Sequence, residues 1–425
     1  MKKIDNVICP FCGCLCDDLS IRIEDNKIIS VEKGCSISKS LFLNHDKDLA
    51  LPTVYGEKTS IKESVKEAVN ILSSKKHTLI YGLSSTSIET QRIALELAEF
   101  LGGSIDQTSS VCHGPTVLAT QQTGINTCTL GEVKNRADVV LFWGSNPLES
   151  HQRHYKRYSL FPKGMFIPNG RKSRKLIVAD VRPTNSSKLA DIFLQIDIGK
   201  DYEVINVLRL LLKGKKPTSD IVGGIEVKKL KDLLDVMLSA NYGVIFFGMG
   251  LTMTKGKYHN VEAAISLVRE LNFHTRWSIE AMRGHYNVKG AGSVFSWQTG
   301  FPYAVNFSLG YPRYNPGEFS AVDLLRRKEV DSMLVIASDP AAAFPHKAVK
   351  NMMDIPLIVI DPKVSISSKI ADVIIPTAQV GIGTAGTAYR MDGIPLRMKK
   401  LISSPYPSDV DVLSSILSGI KEVKK

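Results

Sequence analysis

Four cysteines within eight positions, Cys9, Cys12, Cys14 and Cys16 of "VICPFCGCLCDDLSI" (residues 7–21), constrain this chain more than any other feature, and a fifth follows at Cys35. So many thiols in one segment either cross-link or share a ligand. Disulfide frameworks belong to short secreted domains with evenly spaced cysteines. This chain has 425 residues and 7 cysteines, most of them at one end. Its N-terminus, "MKKIDNVICP", has no apolar stretch behind the lysines and is not a signal peptide. No apolar run approaches the ~20 residues of a membrane span. The expected location is the cytoplasm, where clustered thiols read as metal ligands.

Cys9, Cys12 and Cys16 form C-x2-C-x3-C, with Cys35 arriving from a separate segment. A cubane iron–sulfur cluster takes four thiolates, three of which one tight loop can supply. Pro10 and Gly13 suit such a curl, proline by fixing φ and glycine by permitting positive φ. Cys14 is then the spare and is expected to point elsewhere. Two alternatives stay open: Cys14 as ligand in place of Cys16, and zinc, although structural zinc ligands more often come as two separated pairs. Between the third and fourth ligands, "LSIRIEDNKIISVEK" reads as two short strands around a turn at Asp25 and Asn26. A small β subdomain ending near residues 49–58 is expected.

The remainder has α/β character. Residues 60–76 show apolar positions at 61, 65, 68, 69 and 72, the spacing of an amphipathic helix. Apolar runs at "ADVVLFWGSNP", "KLIVADVRPT", "YGVIFFGMG", "DSMLVIASDP" and "PLIVIDPK" each stop at Gly, Asp or Pro. Strands of this kind are buried on both faces of parallel sheets, and ligands bind at their carboxyl ends. The chain also echoes itself. "VLFWGSNPLESH" with "LIVADVRPTNSSKLADIFLQI" parallels "MLVIASDPAAAFPH" with "LIVIDPKVSISSKIADVIIPT". Two related α/β domains, each with a nucleotide-type crevice, are implied.

The net charge of +12 has two readings: a solvated lysine-rich surface or a polyanionic partner. Basic residues cluster at "HQRHYKRY" (151–158) and "NGRKSRK" (169–175), but neither belongs to a nucleic-acid module. Bound phosphates are the expectation, with no nucleic acid.

The cysteine motif, "WGSNP", "DVRPT" with "KLAD", and "KIADVIIPT" together resemble the molybdopterin oxidoreductase (DMSO reductase) superfamily. "VICPFCGCLCDDL", "SSVCHGPT" and "AMRGHYNVKGAG" look more narrowly like the B-subunit family of formylmethanofuran dehydrogenases, over essentially the whole chain. The resemblance implies a small iron–sulfur β subdomain (1–55) and two Rossmann-like pterin-dinucleotide-binding domains, one from 56–125 plus 325–425 and one from 126–324. The superfamily's C-terminal β-barrel domain is expected to be missing and to come from another polypeptide. The implied activity is reversible reduction of carbon dioxide to formate, the first step of methanogenesis from carbon dioxide. The implied cofactors are one 4Fe-4S cluster, a tungsten or molybdenum ion, and two molybdopterin guanine dinucleotides. Implied partners are an amidohydrolase-type subunit that condenses formate with methanofuran, a dinucleotide-binding β-barrel subunit and polyferredoxin-type subunits, with a low-potential donor such as ferredoxin. Rival readings are a formate dehydrogenase uncoupled from methanofuran and a metal-free scaffold or electron-relay subunit.

Residue by residue, the resemblance makes Cys112 the protein ligand to tungsten or molybdenum, a soft thiolate suited to a sulfur-ligated metal. Basic surroundings are expected to lower its pKa. His113 is placed to move a proton, and Arg283 to hold carbon dioxide or formate through paired hydrogen bonds; His285 is nearby. Cys9, Cys12, Cys16 and Cys35 carry the cluster, with Lys39 bridging cluster and pterin. The dinucleotides are expected at Gly144, Ser145, Asn146 and Pro147, at Asp180, Arg182 and Thr184, at Asp201, at Gly248, Met249 and Gly250, and at Asp339 and Asp361. Lys363, two positions after Asp361, is available to phosphate.

Overall fold

A computed structural model describes residues 1–425. The N-terminal segment is a three-stranded antiparallel sheet of Lys2–Val7, Leu19–Glu24 and Lys27–Glu32. Asp25 and Asn26 form the expected turn, both left-handed with φ of 46° and 61°, as tight hairpins require. The cysteine loop joins the first two strands and is drawn closed where Cys9 N donates to Cys16 O at 2.9 Å. Cys35 caps the helix Ser36–Leu43, its sulfur accepting from Ser38 N at 3.4 Å.

The "ADVVLFW" echo builds a five-stranded parallel sheet. Its order is Ile192–Gln195, Lys175–Asp180, Val139–Trp143, Tyr242–Phe247, Arg276–Ala281. The first strand in sequence lies in the middle and the chain reverses direction beside it, so a crevice opens past the ends of Val139–Trp143 and Tyr242–Phe247. Alternate residues serve two cores. Leu141, Trp143, Ile177, Ile245 and Ile279 pack with Val204, Leu208, Leu233 and Leu267 of the covering helices. Val140, Phe142, Val178, Val244 and Phe246 pack instead with Leu19, Ile21 and the buried cysteines of the N-terminal segment. The cysteine loop is therefore part of this sheet's core.

The second echo lies in a nine-stranded sheet with a parallel centre: Ser104–Gln107, Thr78–Gly82, Ser332–Ile336, Leu357–Ile360, Val373–Ile375. Its crevice opens past Thr78–Gly82 and Ser332–Ile336. Helices Ile61–Ser74, Ile88–Leu101 and Asp409–Val423 cover one face. Short antiparallel strands extend both edges: Thr53–Val54 and Glu57–Lys58 on one side, Val305–Asn306 and Arg313–Tyr314 on the other. The latter pair precedes residue 325, so this sheet recruits chain that the expected 126–324 division gives to the other domain. A hairpin, Gly386–Tyr389 with Pro395–Met398, brings Ala388 and Met398 against Ile8 and Leu15 of the cysteine loop. No helix is long and apolar enough to cross a membrane.

Candidate active site

Cys112 ends the short helix Ser109–Cys112, which follows the strand Ser104–Gln107. Its Sγ donates to Thr108 O at 3.3 Å, and its carbonyl accepts from Thr252 Oγ1 at 2.8 Å. Thr252 closes the helix Met249–Thr252 at the crevice of the five-stranded sheet. Cys112 thus sits on one sheet and is tied to the other. Burial pushes its thiol up to about 11, against the opposing charge of Arg283 and the His113 backbone N–H. The expected lowering does not occur, because desolvation outweighs one cationic neighbour.

Two histidines hold the backbone around Arg283. His113 Nε2 donates to Met282 O at 3.3 Å; since a carbonyl only accepts, that nitrogen carries the proton, and Nδ1 accepts from Thr116 Oγ1 at 3.0 Å. His151 Nε2 donates to Arg283 O at 2.8 Å, and its Nδ1 bonds Ser150 Oγ at 2.8 Å. Burial and the Arg283 charge press His113 down to about 3, so it is neutral. With both ring nitrogens engaged, His113 serves first as a strut between the Cys112 loop and the Arg283 loop. The Arg283 side chain is less committed: its buried Nε has no partner.

The cysteine loop meets the same backbone. A Cβ on Gly13 would overlap Arg283 O, and Gly13 N donates to Gly284 O at 3.1 Å. Gly13 is needed for this approach, while the left-handed residue of the loop is Leu15, at φ 37°. Cys9, Cys12 and Cys16 lie within each other's fields: burial and then Cys12 raise the Cys9 thiol, and burial with the Cys12 charge lifts Cys16 to about 11. Cys14 does not point away. It is buried against Cys12 and holds the Cys12 thiol down by hydrogen bonding. Cys35 joins the group through Ser38, whose N–H donates to Cys35 and whose side chain lies against Cys9. No three His, Cys, Asp or Glu side chains converge to hold a single metal ion.

The basic clusters do something other than expected. Arg153 makes a two-pronged ion pair with Asp18 at 2.6 and 2.7 Å, and Arg157 reaches Asp17 at 2.7 Å. Both acids directly follow Cys16. Arg171 pairs with Asp191, and Arg174 donates to the carbonyls of Ala137, Leu160, Pro162 and Lys134. These arginines are fastened within the fold, so phosphate is not their partner. Lys363 is likewise committed, donating to the carbonyls of Asn44, His45 and Lys47 beyond the helix Ser36–Leu43.

The dinucleotide candidates separate into structural and uncommitted groups. Gly144 and Gly250 approach one another, a Cβ on Gly144 falling 2.7 Å from Gly250 C, while Gly248 N donates to Trp143 O at 3.0 Å. Their close contact joins two turns; Met249 between them is exposed. Asn146 accepts from Ser186 Oγ at 2.5 Å, beside the buried Ser145 and ahead of Pro147 at the first helical position. Thr184 closes its turn with Ser187, and Asp339 accepts from Ile366 N and Ser367 N. Less committed is Asp201, buried, with Oδ1 accepting from Trp143 Nε1 at 2.8 Å and Oδ2 without a partner. The Asp180 carboxylate accepts only from Arg182 N, at 3.4 Å, and Arg182 and Lys39 are exposed. Burial pushes Asp361 up to about 7. It lines a cavity of about 510 Å³ with Pro10, Phe11, Gly284, His285 and Asp409.

A second cavity, of about 400 Å³, is lined by Arg283 together with Ser109, Thr116, Glu280 and Lys289. Sequence reasoning missed Glu280, Lys289, His151, Asp17 and Asp18. A signal existed for Glu280, a carboxylate inside the apolar strand "RWSIEA". For the others the signal lies in their partners, which are distant in sequence.

Residues 61–411 match the family model of the molybdopterin oxidoreductases. The B subunit of the tungsten-containing formylmethanofuran dehydrogenase 2 of Methanocaldococcus jannaschii is 45% identical, with 100% of both chains covered. Among solved structures, the formyltransferase/hydrolase complex from Methylorubrum extorquens contains a chain with TM-score 0.73 and 22% identity, covering 88% of this chain and 99% of that one. Acetylene hydratase from Pelobacter acetylenicus gives TM-score 0.72 at 12% identity, over 98% of this chain and 69% of the other. The chain belongs to the molybdopterin oxidoreductase family and, within it, to the formylmethanofuran dehydrogenase B subunits.

Proposed function

We propose that this chain is the catalytic subunit of a formylmethanofuran dehydrogenase, interconverting carbon dioxide and formate at a tungsten or molybdenum ion held by two molybdopterin guanine dinucleotides. Cys9, Cys12, Cys16 and Cys35 would hold one 4Fe-4S cluster, which would supply one-electron transfer, and a partner subunit joins the formate to methanofuran. The observation that carries this reading is the meeting of three loops. Cys112 from one sheet, Arg283 from the other and the cysteine loop at Gly13 share one region of backbone.

The residues present fit such groups. A buried thiol at Cys112, an unpartnered Nε on Arg283 and an unpartnered Oδ2 on Asp201 are buried atoms that a ligand would satisfy. Asp201 would accept from the guanine edge, and Cys112 would ligate the metal, which when bound supplies the two-electron chemistry. Arg283 binds the carboxylate through charge-assisted hydrogen bonds, and its loop is kept in place by His113 and His151. The two halves of the chain wall the region, and burial of the Arg283 side chain there strengthens its charge. The test is formate oxidation by the oxygen-free complex with a one-electron dye. Cys112→Ser is expected to lose activity and the group-6 metal while keeping its iron. Activity and metal surviving in Cys112→Ser would refute the assignment. Iron without either metal in active wild type would favour a relay or scaffold subunit.

A further inference from the structure

Glu280 is the penultimate residue of the edge strand of the five-stranded sheet and is only 4% exposed. Its Oε2 has no hydrogen-bond partner. A buried carboxylate with an unmet oxygen is costly, and nothing in the packing of the sheet requires one there. It stands in the wall of the 400 Å³ cavity, as does Lys289 from the helix Val288–Thr299. Arg283 borders the same cavity, and so does Thr116, the hydroxyl partner of His113. The cavity is roomy enough for water, and its lining is polar enough to hold it.

The charges around Glu280 are few. Lys289 and Arg283 favour its ionised form, while Asp392 and the buried Cys128 are nearby. Asp392 is already occupied, pairing with Arg390 at 2.7 Å and accepting from Leu130 N at 2.7 Å. Cys128 is held protonated by burial, far above neutrality. Glu280 is thus the group free to gain and lose a proton there. Burial lifts it to about 8, within reach of neutral pH from either side.

We propose that Glu280, with Lys289 across the cavity, is the proton reservoir for the carbon chemistry at Arg283. When formate is oxidised its C–H bond breaks, two electrons leave through the metal centre to one-electron iron–sulfur carriers, and the proton is taken up by the Glu280 carboxylate. In reduction the same proton leaves Glu280 as the C–H bond forms. Glu280 acts through cavity water and is a positioning residue in this sense. The inference rests on the reading of the chain as a formate-forming subunit.

The test uses the holo-complex, with group-6 metal and iron measured first. Wild type should show formate oxidation rising and carbon dioxide reduction falling through about pH 8. Glu280→Gln should keep both metals and its KM for formate, lose roughly 10²-fold in kcat, and lose that inflection. Lys289→Met should move the inflection to higher pH. Infrared difference spectra of wild type and of Asp361→Asn should both contain a protonated-carboxyl band that titrates over the same range, and a band that survives loss of the Asp361 carboxyl reports on Glu280 even if Glu280→Gln fails to assemble. An inflection that persists in metal-loaded Glu280→Gln, or a wild type without a protonated carboxyl at neutral pH, overturns the proposal. A complex without tungsten or molybdenum would instead overturn the functional reading, a separate outcome.

Discussion

At the end of Val139–Trp143 the chain turns through Gly144 at φ 55°; at the end of Ser332–Ile336 it turns through Ala337 at φ 49°. Asn146 and Asp339 then adopt nearly the same conformation, φ/ψ of −117°/77° and −124°/75°. Ser186 Oγ accepts from Leu148 N at 3.2 Å, and Ser367 Oγ from Ala341 N at 3.0 Å. Asp191 accepts from Leu176 N at 2.7 Å, and Asp372 from Leu357 N at 2.8 Å. The repeated sequence therefore builds one backbone device twice. What surrounds it differs. In the first half Gly144 is pressed against Gly250, and Asp201 waits with one oxygen unmet. In the second, Asp361 is pushed up to about 7 by burial, with Asp409 and Asp339 adding to the effect. Shared hydrogen bonds set the turn, while unshared neighbours set the chemistry beyond it.

Substitutions at matched positions sharpen or break this comparison. Gly144→Ala combines a left-handed Cβ with an overlap on Gly250 backbone. It should cost about 2–5 kcal/mol in denaturant unfolding, and a cost near zero would show that the two turns do not touch. Asp191→Ala and Asp372→Ala should each cost about 1–3 kcal/mol by leaving the strand N–H of Leu176 or of Leu357 unmet. Asp191→Ala should cost up to about 1 kcal/mol more because it also releases Arg171, and a larger difference would undo the repeat. Asp361→Asn tests the electrostatic contrast. The folded state raises this carboxyl from 3.8 to about 7, so ionising it costs stability as pH rises across that window, and the cost is absent below it. The variant's gain in Tm over wild type should therefore grow from about pH 4 to about pH 7 and level off above it. Ala337→Gly should be nearly neutral, within about 1 kcal/mol, because relief of the left-handed Ala offsets the added freedom of the unfolded chain.

The repeat was readable because its determinants, a small-residue turn, Ser-Ser-Lys and Ala-Asp, are local. The strands of two residues at the edges of the nine-stranded sheet were not, since partners chosen in space leave no period in the sequence. Among site residues, Cys112 and Arg283 were visible through motif resemblance, and the structure brings their loops together. The arginines misled: charge clustering at 151–158 and 169–175 cannot distinguish a phosphate from Asp18 or a carbonyl. Gly13 was singled out for its torsional freedom, whereas the structure uses its missing side chain to admit Arg283 O.

The central claim is that Cys112 and the cysteine loop serve one redox centre in one chain. The most direct test is elemental analysis of the natively purified, oxygen-free complex, expressed per copy of this chain. The account predicts about one tungsten or molybdenum and at least about four irons. Iron with neither group-6 metal, in a complex that is intact and active, would contradict it.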